Sequence, residues 1–290
     1  MRIIELTMVL LSSSLLATGS ALAADPSRPP APPATVPDIV RTNPPVLCVG
    51  CDEPFDTTTH KEVLARLVNN PYNTELRKAL YLQDIVHQFE SKAHFDNCDF
   101  DSSIAYITNL LDEAETHVAA ASKAKAAGNQ EEVKLAAGRA FFAIGQALHG
   151  VQDFYAHTNY VELEAPKVKK VTDLELIAPW RANGRDRIKE LQGRGLVSGF
   201  VFWGFPQKCP RGTASHADLA KDSAATKSGA RHVAHLQNLS QYRIAVFLAR
   251  EASLQLMTDA FKRWPLLREL NGPNVAVEIL LDRRRIEQKK

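Results

Sequence analysis

The residue types best suited to chemistry fall in the stretch His149-Gly-Val-Gln-Asp153-Phe-Tyr-Ala-His157. If this stretch is helical, each step of four residues advances about 40° around the axis, so His149, Asp153 and His157 share one face about 80° wide. Three polar side chains aligned on an otherwise apolar helix must be satisfied together, and a metal ion does this for imidazole and carboxylate groups. The pattern predicts a metal site; the alternatives are a solvent-facing polar stripe and a buried hydrogen-bonded network.

The spacing along the helix axis bears on the number of ions. A rise of 1.5 Å per residue separates the backbones of His149 and His157 by about 12 Å, which is too far for one shared ion. Asp153 lies midway, four residues from each histidine, and its carboxylate has two oxygens. The spacing therefore predicts a cluster of more than one metal, with Asp153 at its centre and the histidines on different ions.

Further metal-ligating residue types occur at several places along the chain. A single histidine is more commonly a surface or capping residue, so each motif alone is a weak signal and their number gives them weight. We expect those that belong to the site to converge on the helix that carries Asp153. They are His60, His94, Asp96, His216 and Asp222, with His232 and His235 as further histidines to which no role is assigned.

Apolar residues recur at helical spacing over most of the chain that follows residue 59. The periodicity predicts helices over residues 74–92, 102–127, 130–160, 236–264 and 275–286. Gly128 is a natural stop for the second of these, and the alanines between 136 and 147 suit close packing of the third. The predicted fold class is all-α.

The segment between residues 163 and 230 lacks this periodicity and is rich in glycine. It predicts a long irregular insertion, and such connections are usually functional or ordered excursions from a compact domain. Its aromatic run Phe200-Val-Phe-Trp-Gly-Phe205 favours a short buried strand over an exposed, membrane-touching loop.

The first 46 residues differ from the rest in composition. A basic start, an apolar run from Met8 to Leu16 and the small-x-small sequence Ala21-Leu22-Ala23 predict a cleavable signal peptide over residues 1–23. Residues 24–46 are rich in proline and predict an extended leader, followed by one domain over 47–290. We expect an exported protein, secreted or periplasmic, with no transmembrane segment, because later apolar runs fall short of about 18 residues.

The charge of the chain is nearly balanced. Lysine and arginine total 35 against 33 acidic residues, which leaves a formal net charge of +2. A protein that binds nucleic acid mainly by neutralising phosphates needs a larger basic excess, so no stable nucleic-acid complex is expected.

The order and spacing of the chemical motifs resemble a known family. The core motif is Gly145-x3-His149-x3-Asp153-x3-His157-x-Asn159. Thr59-His60 and His94-Phe-Asp96-Asn97 precede it, and Ser215-His216-x2-Leu219-x-Lys221-Asp222-Ser223 follows. Together they resemble bacterial relatives of the Het-C heterokaryon-incompatibility proteins, which are similar in turn to the zinc-dependent phospholipase C and single-strand nuclease superfamily. The resemblance covers about residues 55–260.

This resemblance implies an all-α, zinc phospholipase C-like domain whose cleft holds two or three zinc ions. For such a site, Asp96 is our candidate to orient or deprotonate the attacking water. The lipases of the family carry a glutamate where this chain has Ala220, and they use their mature N-terminal residue as a ligand. The metal ligands it implies are His60, His94, Asp96, His149, Asp153, His157, His216 and Asp222.

The expected function follows from the resemblance. It is an exported zinc-dependent phosphodiesterase, a phospholipase C that hydrolyses phosphatidylcholine-like lipids with a metal-activated water. The expected partners are a phospholipid or other phosphodiester substrate and, transiently, a membrane surface. The alternatives are a single-strand nuclease of the same superfamily and a non-catalytic, metal-stabilised Het-C-like interaction protein.

Four cysteines lie beyond the predicted signal peptide, at positions 48, 51, 98 and 209, and in an oxidising compartment they favour two disulfides. Cys98 lies four residues after His94, and Cys209 lies seven before His216. If both histidines reach the same metal cluster, these two cysteines come close enough to pair. We therefore expect Cys98–Cys209 and Cys48–Cys51, with a bridge from Cys48 or Cys51 to Cys209 as the alternative.

Overall fold

Helices joined by short turns and one long irregular connection make up the fold. The computed structural model describes residues 59–60, 63–64, 67–202, 204 and 206–273. The predicted all-α fold class is confirmed within these residues. The helices are α1 (Tyr72–Val86), α2 (Ser91–His94), α3 (Phe100–Ala126), α4 (Gln130–His157), α5 (Tyr160–Glu164), α6 (Ala182–Gly193), α7 (His216–Leu219), α8 (Gln241–Arg263) and α9 (Pro265–Asn271).

Two minor kinds of regular structure accompany the helices. Short 3-10 turns cover Ala165–Lys167 and Val171–Asp173. The strands β1 (His232–Val233) and β2 (Leu239–Ser240) pair antiparallel, with His232 opposite Ser240. This small hairpin ends the irregular connection and leads directly into α8.

Local capping explains where the predicted helix boundaries differ from the observed ones. The helix predicted over 74–92 ends at Val86, because His87 leaves helical geometry and its ring bonds Glu90 in the following turn. The helix predicted from residue 236 begins at 241 instead. Gln237 and Asn238 have positive φ angles of 57° and 56°, which helical backbone excludes, and the Ser240 hydroxyl then accepts from the third amide of α8.

Helix α4 lies at the centre, and α1, α3 and α8 pack around it. Its alanines and the aromatic residues Phe141, Phe154 and Tyr155 are buried, as the alanine-rich composition indicates. At Gly145 an added Cβ would lie 2.7 Å from the Ala79 Cβ and 3.0 Å from the Leu76 Cα. The backbones of α1 and α4 therefore come into direct contact at this crossing, which only glycine permits.

The irregular insertion predicted over residues 163–230 is less irregular than expected, because it contains helices α6 and α7. The rest of this stretch is the irregular connection, which pairs with residues near the end of α4 and with itself. Isolated bridges join Thr158 to Ser198 and Phe200 to Ser215. The predicted buried strand over 200–205 is wrong in its exposure, because Phe202 is 70% exposed while Val201 is buried. The Asn97 side chain bonds the Val201 amide at 2.7 Å, which draws the chain into a turn; Trp203 and Phe205 lie outside the described residues.

A disulfide between Cys98 and Cys209 confirms the predicted pairing of these two residues. It ties the turn after α2 to the irregular connection across a separation of 111 residues. The expected Cys48–Cys51 bridge, the signal peptide over 1–23, the leader over 24–46 and the helix over 275–286 lie outside the described residues. Among the helices that are described, none has the combination of length and apolar composition that crossing a lipid bilayer requires.

Candidate metal centre

The polar stripe of α4 is buried. His149, Asp153 and His157 are 0%, 1% and 4% exposed, which excludes a solvent-facing stripe. His149 and Asp153 face each other directly, with 2.8 Å between His149 Nε2 and Asp153 Oδ2. Two readings of the stripe remain, a metal site and a closed hydrogen-bonded network, and the surrounding donor atoms bear on the choice between them.

Donor atoms from three helices lie close to His149 Nε2 in two overlapping groups, His94-His149-Asp153 and His60-Asp84-His149, and we call these residues together the first subsite. His149 Nε2 lies 3.1 Å from His94 Nδ1 and 3.4 Å from Asp84 Oδ1. His94 Nδ1 lies 3.1 Å from Asp153 Oδ2. A zinc ion with bonds of about 2.0–2.1 Å holds tetrahedral ligand atoms about 3.3 Å apart, so these separations have the size that such a site requires.

His60 approaches the other oxygen of the same carboxylate. His60 Nε2 is 3.4 Å from Asp153 Oδ1, and its ring stacks on that of His149 with centroids 4.4 Å apart. Asp153 thus presents one oxygen to His94 and His149 and the second to His60. Both oxygens of Asp153 therefore face histidines of the first subsite, whereas the spacing predicts a carboxylate shared between the ions of His149 and His157.

A second group of donors, which we call the second subsite, lies at the C-terminal end of α4. It consists of Asp96, His157, His216 and Asp222. His216 Nδ1 bonds Asp96 Oδ1 at 2.9 Å, and His157 Nε2 lies 3.3 Å from Asp222 Oδ1. The rings of His157 and His216 meet edge to face with centroids 4.4 Å apart. His157 therefore turns toward Asp222, while Asp153 faces the histidines of the first subsite.

A hydrogen bond from the His157 ring to a backbone carbonyl connects the two subsites and orients His157. His157 Nδ1 lies 2.9 Å from the carbonyl oxygen of His94, whose own ring belongs to the first subsite. A carbonyl only accepts, so Nδ1 carries the proton and Nε2 is left to face Asp222. A backbone carbonyl that fixes a histidine in this way is typical of metal-ligating histidines.

Several buried polar atoms in these two groups have no hydrogen-bond partner among the described residues. Buried polar groups in folded proteins are nearly always hydrogen-bonded, so a cluster of exceptions indicates a ligand that would satisfy them. All of these atoms belong to imidazole or carboxylate groups, which are zinc donors. They are Asp84 Oδ2, His94 Nε2, His149 Nδ1, Asp153 Oδ1, His157 Nε2 and both carboxylate oxygens of Asp222. His94 and His149 turn their other ring nitrogens toward the first subsite, so the unpartnered atoms that face neighbouring ligand candidates are those of Asp153, His157 and Asp222. These atoms, which a closed hydrogen-bonded network would not leave unpartnered, could hold metal ions.

The electrostatics of the cluster favour a bound cation. Burial raises the pKa of Asp153, but the nearby His149 and His157 outweigh it and hold that pKa well below its usual range. Burial likewise opposes ionisation of Asp222, yet His157 brings its pKa to about 2. Burial lowers the pKa of His157, and Asp153, with the other carboxylates, raises it to about 9. The carboxylates stay ionised and attract either protons or metal ions onto the imidazoles.

The structure brings all the residues proposed as ligands into these two connected groups. They are His60, His94, Asp96, His149, Asp153, His157, His216 and Asp222. The other histidines serve elsewhere: His232 bonds the Asn238 carbonyl and His235 bonds the Ala165 carbonyl.

Asp84 is the ligand candidate that the sequence motifs miss. It continues the i, i+4 series of Leu76 and Leu80 along α1, at the place where the next core side chain is due. A carboxylate at the end of an apolar stripe is a usable signal, because a buried charge requires a partner. Asp84 forms metal-sized groups with His60 and His149.

Comparison of the chain with models of known protein families, with curated proteins and with solved structures gives no significant match.

Proposed function

We propose that the protein is a zinc-dependent phosphodiesterase, and specifically a phospholipase C that acts on phosphatidylcholine-like lipids. The observation that carries this proposal is the pair of connected subsites, each built from buried imidazoles and carboxylates with unpartnered donor atoms. The resemblance of the motifs to the Het-C-like relatives of zinc phospholipases supports the same conclusion and is itself part of the proposal.

The donor set fits zinc. Nitrogen and oxygen ligands in groups of three or four are typical of zinc sites, whereas calcium and magnesium prefer oxygen alone. His94, His149 and Asp153 would hold one ion, with His60 as its fourth ligand and Asp84 beside it, and Asp96, His157, His216 and Asp222 would hold a second. Four carboxylates balance two divalent ions. Bound zinc lowers the pKa of a coordinated water toward about 7 and neutralises phosphate charge.

Asp96 is the residue that would accept the proton of the attacking water. Its side chain is 10% exposed and that of His216 is 16%, so this part of the second subsite is not fully enclosed. The Asp96 carboxylate accepts from His216 Nδ1, which orients one of its oxygens within the second subsite. The carboxylate would accept a proton there, in the part of the cluster that a substrate phosphate can reach.

Exposed apolar side chains beside the second subsite favour a lipid substrate. The amide of His216 bonds the Phe200 carbonyl at 2.9 Å, which places the aromatic segment next to this histidine. Phe200 is 36% and Phe202 70% exposed. Aromatic groups at the edge of a phosphodiester site suit acyl chains. They also suit stacked bases, which is the observation in favour of a single-strand nuclease.

The test is hydrolysis by the metal-loaded protein. Purified protein would be analysed for zinc and assayed on phosphatidylcholine vesicles, on a chromogenic phosphocholine ester and on single-stranded DNA. We expect about two zinc ions per chain, hydrolysis of both choline substrates, loss of activity on chelation and recovery with zinc. Asp96→Asn should reduce kcat about 100-fold or more, a larger effect than its effect on zinc content. Asp101→Asn, an exposed carboxylate in the next helix, is the matched control.

Each of the other possible results would support a different function or contradict the proposal. Hydrolysis of DNA without hydrolysis of either choline substrate would assign the nuclease activity instead. Full zinc content without hydrolysis of any of the three would support the non-catalytic interaction protein. Absence of bound zinc after equilibration with the metal would contradict the proposal altogether.

A further inference from the structure

A fully buried amide lies behind the first subsite. Gln152 is 0% exposed and directly precedes Asp153 on α4. Its Oε1 lies 2.5 Å from His60 Nδ1, and its Nε2 lies 3.0 Å from the hydroxyl of Ser253 on α8. The side chain therefore connects the helix packed behind the cluster to one histidine of the cluster.

The hydrogen of Ser253 fixes the orientation of this amide. The Ser253 hydroxyl donates to the Ala249 carbonyl at 2.7 Å, and a carbonyl can only accept. With its one hydrogen committed, the hydroxyl accepts from its other neighbour, so the Gln152 NH2 group must point to it. The Gln152 carbonyl oxygen consequently faces His60.

The orientation of the amide determines which nitrogen of His60 carries the ring proton. An amide oxygen accepts only, so His60 Nδ1 must donate to it and carry the hydrogen. Nε2 is then the ring atom directed to Asp153 Oδ1, 3.4 Å away. A nitrogen lone pair beside a carboxylate oxygen is a favourable arrangement for two ligands of one cation.

We propose that Gln152 is a positioning residue that, supported by Ser253, holds His60 in the tautomer that binds metal. The inference rests on the proposed zinc centre and adds a residue outside its set of ligands. A hydrogen bond to the ring nitrogen that does not bind the metal fixes the ring orientation and raises ligand basicity, and removing one typically weakens metal affinity about 10- to 100-fold.

The test measures zinc affinity instead of activity. Wild type and variants would be titrated with zinc against a competing chelator of known affinity. Gln152→Leu removes the acceptor and should weaken one of the two bound ions by about 10- to 100-fold, while the ion of the second subsite keeps its affinity. Gln152→Glu retains an acceptor oxygen for His60 and should keep the affinity within a few-fold of wild type.

Two controls separate positioning from packing. Gln83→Leu removes an equally buried amide that bonds Tyr106 and Gln146, and it should leave both zinc affinities unchanged. Ser253→Ala should weaken the same ion as Gln152→Leu, but less. Thr258→Ala removes a hydroxyl on the same helix that also bonds a backbone carbonyl, and it should not affect zinc.

Nitrogen-15 spectra of the zinc-loaded protein give an independent readout. The His60 signal should show a protonated Nδ1 in wild type and a mixture of tautomers in Ser253→Ala. Wild-type zinc affinity in Gln152→Leu, or in Ser253→Ala if the leucine variant does not fold, would overturn the role of Gln152 while leaving the zinc centre intact. A wild-type protein that binds no zinc would overturn both.

Discussion

The two subsites use the same donor types but are held in place by different means. In the first, Asp84, His149 and Asp153 lie on the long helices α1 and α4, so helix register and the α1–α4 crossing determine where their donor atoms meet. In the second, only His157 comes from a long helix. Asp96 lies in a turn and Asp222 in the irregular connection, where no repeating backbone geometry sets their position.

Cross-links over long sequence distances replace helix register in the second subsite. The Cys98–Cys209 disulfide and the Asn97 side chain bind the turn that carries Asp96 to the connection. The buried Lys221, next to Asp222, donates to the Thr158 carbonyl at 2.8 Å at the end of α4. In the proposed function, the helix-built first subsite would hold its ion firmly, and the loop-built second subsite would receive the substrate.

The largest effect is expected for Asp153→Asn, which removes the charge shared by His60, His94 and His149. Breaking a buried charged network by removing one partner costs about 3–5 kcal/mol. We expect loss of the first-subsite ion, weaker binding of the second, and a free energy of unfolding lower by about that amount. Metal analysis and urea unfolding would check this, with the exposed Asp112→Asn as control. Wild-type zinc content in the variant would contradict the first-subsite assignment.

Removal of the disulfide should affect the second subsite more than the first. The double variant Cys98→Ser/Cys209→Ser lacks the restraint on the turn of Asp96, and a native disulfide typically contributes about 2–4 kcal/mol. The ion of the second subsite should bind more weakly, whereas that of the first should be retained. Chelator competition combined with denaturant unfolding measures both effects. Equal weakening of the two ions would show that the subsites are not held independently.

Lys221→Met should also weaken the ion of the second subsite more than that of the first, with a smaller loss of stability than removal of the disulfide. The substitution leaves the Thr158 and Leu219 carbonyls without their donor and Glu162 without its ion pair, which costs about 1–3 kcal/mol. The second-subsite ion should weaken because the backbone beside Asp222 loses its anchor. Lys227→Met, in an exposed ion pair of the same connection, is the control and should change neither property measurably.

The smallest expected effect is on the pH dependence of the metal-free protein. The pKa of His157, about 9 in the fold, lies above its ordinary 6.5, so its contribution is complete below pH 6.5 and is lost as the pH rises through 9. The pKa of Asp222, about 2 against 3.8, gives a contribution that is lost as the pH falls through 2. The melting temperature should therefore fall between pH 6.5 and 9.

Zinc should reverse this trend, because metal binding requires deprotonated imidazoles and strengthens as the pH rises. Thermal unfolding with zinc and with chelator over the same pH range would measure the difference. His157→Gln should flatten the metal-free curve. A metal-free melting temperature that rises from pH 6.5 to 9 would contradict the assigned balance of charges around His157.

The sequence predicts the helix-built part of the site better than the loop-built part. A period of 3.6 residues places His149, Asp153 and His157 on one face, and the same reasoning extended along α1 would have found Asp84. The disulfide could be predicted only from the convergence of histidines far apart in the chain. The position of Asp222 depends on tertiary bonds from Lys221, which no local pattern encodes.

The aromatic segment shows why local propensity fails there. Phe200, Val201 and Phe202 favour a buried strand by residue type. The side chain of Asn97, more than 100 residues away, binds the backbone of Val201 and Gly204 and turns the segment instead. A hydrogen bond to a residue so distant in sequence cannot be predicted from neighbouring residues. The exposure of Phe202 is therefore known only from the structure.

The contact at Gly145 has a consequence for how strongly the first subsite can bind. With no side chain between the backbones of α1 and α4, little relative movement of these helices is available, and Asp84 and His149 lie only about one to one and a half turns beyond the crossing. Their donor atoms therefore keep their separation before any ion arrives. The entropy of gathering the ligands is lost during folding and not during binding, so capture of the ion requires little further ordering of this part of the chain.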